Sequence, residues 1–128
     1  MISVKHVDHI AIAVADIHAS AAWYQEMFGL ERRFADVWGD EPPLMVCAGD
    51  TCVALFPTEG DPEPSPGRGA ATMRHFAFVV DRANFEDARA SFEERGIEYQ
   101  FADHDVAHSL YITDPDGHRI ELTTYELG

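Results

Sequence analysis

Apolar and polar positions alternate in the same way at two places along this chain. The stretch "VDHIAIAV", starting at Val7, puts Ile10, Ile12 and Val14 on one side of a strand. His9, Ala11 and Ala13 fall on the other side. The stretch "MRHFAFVV", starting at Met73, repeats this with Phe76, Phe78 and Val80 against His75, Ala77 and Val79. A helical period follows each strand. Asp16 is a favourable N-cap, after which Ile17, Ala21, Tyr24 and Phe28 share one face and Gly29 ends the run. From about 84 to 95, Phe85, Ala88 and Phe92 share a face, and Gly96 ends that run. Three more strands are predicted in each half: 30–38, 44–48 and 51–56, then 97–101, 109–113 and 119–125.

The two halves superpose at a nearly constant offset. His75 lies 66 residues after His9, Gly96 lies 67 after Gly29, and Gly117 lies 67 after Asp50. A whole βαβββ unit is therefore repeated. The fold class expected is α+β, with two tandem βαβββ modules in a single domain spanning 1–128. Module one covers about 4–57, a Pro/Gly-rich linker 58–72, and module two about 73–126.

The polar faces of these strands carry the chemistry. In the last strand Glu121, Thr123 and Tyr125 share a face, with Ile120 and Leu122 opposite. A buried glutamate without a partner is costly. Two histidines at equivalent positions, beside small residues, offer it one: His9, His75 and Glu121 make a set for a divalent metal. Two imidazoles and one carboxylate form the facial triad of non-haem iron. Fe2+ is therefore expected first, with Mn2+, Zn2+, Ni2+ and Co2+ as other ions the set can hold. His6, His18 and His118 are expected at the surface.

Charge narrows the partners. The net charge is −14, from 23 Asp and Glu against 9 Lys and Arg. Phosphate backbones and anionic bilayers are thereby excluded, so no nucleic acid and no membrane is expected as a partner. No apolar run approaches a membrane span, and the first residues lack the apolar core of a signal peptide. The expected location is cytoplasmic. Cys47 and Cys52 flank a turn and could face each other across it, but the expectation is two buried, reduced thiols. An open sheet of this size has edges that a second copy would cover, so a homodimer is expected.

The paired units, the openings "DHIAIAV" and "HFAFVV", and the closing "YITDPDGHRIEL" (residues 111–122) resemble the vicinal oxygen chelate superfamily. That superfamily holds glyoxalases, bleomycin-resistance proteins and extradiol dioxygenases. The resemblance covers almost the whole chain. It implies modules curving as a mixed sheet, a half-barrel, around a metal held by His9, His75 and Glu121. A fourth ligand position falls on Ala54, which cannot ligate, so more sites stay open for substrate. The resemblance further implies Tyr111 beside Glu121 as a catalytic phenol, as in extradiol enzymes, and His104 in "HDVA" as an acid/base. His108 alternates away from Tyr111. Thiol transferases of the superfamily place Thr where this chain has Ala11, and few Lys and Arg leave an anionic substrate poorly served. The function expected is a metal-dependent, extradiol-type dioxygenase, an oxidoreductase acting on a small vicinal-dioxygen substrate. The alternatives are a glyoxalase-like lyase or isomerase, or a metal-free drug-binding protein using Trp23, Trp38 and the phenylalanines as stacking surfaces.

Overall fold

The computed structural model describes residues 1–61, 63 and 69–128. The chain divides into two compact units, Met1–Glu63 and Pro64–Gly128, each with its own sheet and helix layer. Part of the linker expected at 58–72 lies outside the described residues, at 62 and 64–68.

The first unit contains β1 (His9–Val14), α1 (Ile17–Phe28), β2 (Glu31–Arg33), α2 (Ala35–Trp38), β3 (Leu44–Ala48) and β4 (Thr51–Pro57). The sheet order is β1-β4-β3-β2, and β1 runs parallel to β4. Helix α1 starts where expected. The Asp16 carboxylate accepts hydrogen bonds from the His18 and Ala19 amides at 3.1 and 3.0 Å. It stops at Gly29, whose φ of 66° suits glycine, and whose N–H bonds the Gln25 carbonyl. Ser20, Ala21 and Tyr24 of α1 are buried, as are Ile12, Val14, Leu44, Val46, Val53 and Leu55 of the sheet. The other side of the sheet carries His9, Ala11, Cys52, Ala54, Met45 and Cys47 in matched rows.

Two expectations fail here. The strand predicted over 30–38 is only β2, followed by the short helix α2. Phe34 takes a left-handed φ of 65°, which breaks the strand, and the turn then sets its ring 5.1 Å from Trp38. The cysteines are not reduced thiols: Cys47 and Cys52 form a disulfide. The hairpin register puts them directly opposite, with Cα atoms 4.0 Å apart.

The second unit contains β5 (Phe76–Val79), α3 (Arg82–Glu94), β6 (Gln100–Asp103), β7 (His108–Thr113) and β8 (Arg119–Thr124). Its sheet order, β5-β8-β7-β6, repeats that of the first unit, with β5 parallel to β8. The repeat is visible in the pairing itself. Ala11 stands beside Ala54 in one sheet, and Ala77 beside Glu121 in the other. Helix α3 begins two residues before the expected start, because Asp81 caps it, accepting the Asn84 amide at 2.8 Å. Phe85 and Phe92 of α3 are buried, as are Phe76, Leu110, Ile112, Ile120 and Leu122 of the sheet. Strand β6 begins three residues later than expected. Among the described residues no helix is long and apolar enough to cross a membrane.

Candidate metal and substrate site

The turn between β7 and β8 sets the register of the site. The Asp114 carboxylate accepts the amides of Asp116 and His118 at 2.9 and 2.8 Å. Gly117 takes a φ of 88°, a conformation that glycine adopts without cost. The resulting five-residue connection pairs Tyr111 with Glu121 and Ser109 with Thr123. Alternation then places Ser109, Tyr111 and Thr113 on the same face as Arg119, Glu121 and Thr123. The helix α3 side takes the apolar residues instead.

Glu121 is 8% exposed, and both its oxygens are engaged. Oε1 lies 3.0 Å from His75 Nε2. Oε2 accepts the Ser109 hydroxyl at 2.5 Å. A buried carboxylate held from two sides keeps one orientation. The His75 ring stands edge-on to Tyr111 at 5.5 Å. Burial, and then the Glu121 carboxylate, push the Tyr111 phenol above its ordinary value of 10.0. It therefore stays protonated, and thus a donor, at neutral pH. His104 Nε2 lies 3.1 Å from the Tyr111 hydroxyl. The residue after His104, Asp105, takes a left-handed φ of 68° in the turn before β7.

His75, Glu121, Tyr111 and His104 thus stand together on one face of the second unit. His9 stands on the first unit, at the start of β1, exposed and 2.8 Å from Asp8. Among the described residues no three His, Cys, Asp or Glu side chains are grouped to hold one ion. His75 and Glu121 nevertheless suit a metal. Their donor atoms are 3.0 Å apart. An imidazole nitrogen and a carboxylate oxygen brought this close would both be available to one divalent ion. His108 points to the helix side, where its Nδ1 is 2.8 Å from Arg82 Nη1. Trp23 packs edge-on against Tyr24 and Phe28.

A cavity of about 470 Å³ opens beside this face of the second unit. His75 and Tyr111 line it, together with Arg74, Gln100, His118 and Arg119. His118 is therefore a cavity residue and not simply a surface one. Sequence reasoning missed Ser109, Gln100, Arg74 and Arg119. The signal for two of them was present: Ser109 and Arg119 each lie two residues from a named site residue, and so on the same strand face.

Comparison with known proteins places the fold in a family. Over 118 residues the chain is 29% identical to the glutathione transferase FosA of Serratia marcescens, covering 92% of this chain and 79% of that protein. It is 25% identical to the catechol-2,3-dioxygenase of Bacillus subtilis, covering 91% of this chain but only 40% of that protein. Among solved structures, a glyoxalase/dioxygenase from Nostoc punctiforme superposes with a TM-score of 0.77 at 24% identity, over 94% of this chain and 90% of that one. A lactoylglutathione lyase from Agrobacterium tumefaciens gives 0.70 at 24%, over 94% and 93%. These structures establish the fold, and the relatives by sequence are named as enzymes of different reactions. The family profile described as Glyoxalase/Bleomycin resistance protein/Dioxygenase superfamily matches residues 6–122, and the chain belongs to that superfamily.

Proposed function

We propose that this chain is a metal-dependent enzyme of dioxygenase type, acting on a small substrate with two adjacent oxygen atoms. His9, His75 and Glu121 hold one divalent ion, Fe2+ first among the candidates. Strands β1 and β5 are edge strands of their sheets, which favours a homodimer. The bound ion supplies Lewis-acid polarisation and a template for the two substrate oxygens.

The observation that carries the reading is the Tyr111–His104 pair beside the His75–Glu121 pair. Tyr111 stays neutral and donates to a substrate oxygen. His104, 3.1 Å from that phenol, takes up the proton a substrate hydroxyl releases. Ser109 keeps Glu121 facing His75. These parts serve a substrate that must lose a proton as it binds, which a catechol-like diol does.

The test is metal content together with oxygen uptake. Protein purified without chelator, in air and under anaerobic conditions, is expected to carry about one iron per chain. It should consume oxygen with catechols. Tyr111→Phe is expected to lower kcat/KM by about 10²–10⁴ while leaving metal content unchanged. Full activity in Tyr111→Phe would remove the phenol from the mechanism. Absence of metal after reconstitution would remove the ligand set.

A further inference from the structure

The cavity of the second unit has a charge opposite to that of the protein around it. The chain has 23 acidic residues against 9 Lys and Arg. Yet among the described residues no acidic one lines this cavity, while two arginines, Arg74 and Arg119, do. Among the described residues, neither arginine pairs with a carboxylate. Arg119 is instead held by neutral groups. Its Nη2 donates to Gln100 Oε1 at 2.7 Å, and its guanidinium carbon lies 4.5 Å from the Tyr111 ring centre. Gln100, Tyr111, Thr113 and Arg119 also line a second hollow that contains Glu93 and Glu98, and there Glu93 accepts the Tyr99 hydroxyl. A guanidinium stacked and fixed in this way has lost its mobility before any ligand arrives. Its remaining N–H groups form a fork that matches the two oxygens of a carboxylate.

We infer that this cavity binds the carboxylate of a small organic acid, with Arg119 as the fixed partner and Arg74 as the second cation. Met73 and the Tyr111 ring supply apolar walls for the body of the acid. His75 lies in the same wall as Arg74, one strand away from Glu121. An acid seated on Arg119 therefore presents its far end to the His75–Glu121 pair. That the far end carries two adjacent oxygens rests on the function proposed above; the carboxylate site itself does not. The low Lys and Arg content, which spoke against an anionic substrate, is offset by where two of these residues are placed. Local charge at a cavity decides binding more than net charge does.

The experiment compares ligands that differ only in charge. Benzoate and neutral benzamide are titrated by NMR, which reads millimolar affinities, into the full chain without added metal. Benzoate is expected to bind at least about tenfold more tightly. The preference should vanish in Arg119→Gln, weaken in Arg74→Gln, and survive in part in Arg119→Lys. Arg74 is exposed, so its variant tests the site even if Arg119→Gln disturbs the packing on Tyr111. Equal binding of the two ligands to the unaltered protein, or a preference that survives in both glutamine variants, overturns the inference. A second arm titrates catechol into metal-loaded protein. If catechol fails to bind while the benzoate preference holds, the carboxylate site stands and the proposed reaction falls. If catechol binds without any benzoate preference, the reverse follows.

Discussion

Glu121→Gln is expected to abolish metal binding while leaving the fold intact. Glutamine keeps the length and shape of the side chain, and its carbonyl oxygen can still accept the Ser109 hydroxyl. It brings no negative charge, and a neutral amide is a poor ligand for a divalent ion beside imidazole. The loss should exceed the roughly 10–100-fold cost of removing a group that only supports a ligand. Ser109→Ala provides that comparison. It removes the donor to Oε2 and leaves the carboxylate in place, so affinity should fall by about 10–100-fold. The expected effect on stability has the opposite sign. A carboxylate only 8% exposed costs folding free energy that a neutral amide does not. Metal-free Glu121→Gln should therefore melt at or above the temperature of the metal-free parent. Metal content after dialysis, read beside a circular-dichroism melt of each protein, checks both statements. Unchanged metal content in Glu121→Gln would place the ion elsewhere in the chain.

Much of this arrangement could be read before any coordinates, because strands impose strict alternation. A five-residue turn at 114–118 forces Tyr111 opposite Glu121, and the two then share a face. The offset between the halves was equally legible, since it is a property of sequence order alone. It reappears as the parallel Ala11–Ala54 and Ala77–Glu121 neighbours. Short-range conflict hid α2: Val37 and Trp38 favour strands, but Phe34 turns left-handed and ends the ladder after Arg33. The disulfide was hidden differently. The hairpin geometry that brings Cys47 to Cys52 was anticipated, and the general rarity of disulfides inside cells argued the bond away. The cationic cavity was the least legible feature. Arg74, Gln100 and Arg119 come from three strands or their edges, and only the order β5-β8-β7-β6 makes them neighbours. Net charge, a sum over the whole surface, says nothing of such placement.

Phe85→Ala is expected to be the most destabilising single change on the helix side of the second unit, at about 3–5 kcal/mol. Phe85 has no exposed surface. Its ring meets Phe101 and His108, each with centroids 6.5 Å away, and the Arg82 guanidinium at 5.1 Å. Truncation loses the transfer free energy of the ring and leaves a cavity between α3 and the sheet. Arg82 would also lose its aromatic face, although its contacts to Glu86 and His108 remain. A typical domain has only about 5–15 kcal/mol of stability, so the variant should be partly unfolded near physiological temperature. Phe85→Leu keeps most of the volume and should cost about half as much or less. Urea denaturation checks the pair: the midpoint should fall in the order parent, Leu, Ala, with the slope unchanged. A loss below about 1 kcal/mol for Ala would mean that Phe101, now 41% exposed, swings inward and refills the space. The same variant separates the two sides of the sheet. In the second unit, the residues proposed to hold metal and benzoate lie on the face away from α3, so below its melting temperature Phe85→Ala should bind both as the parent does. Weakened binding in a still-folded Phe85→Ala would show instead that α3 packing sets the position of β8, and with it Glu121.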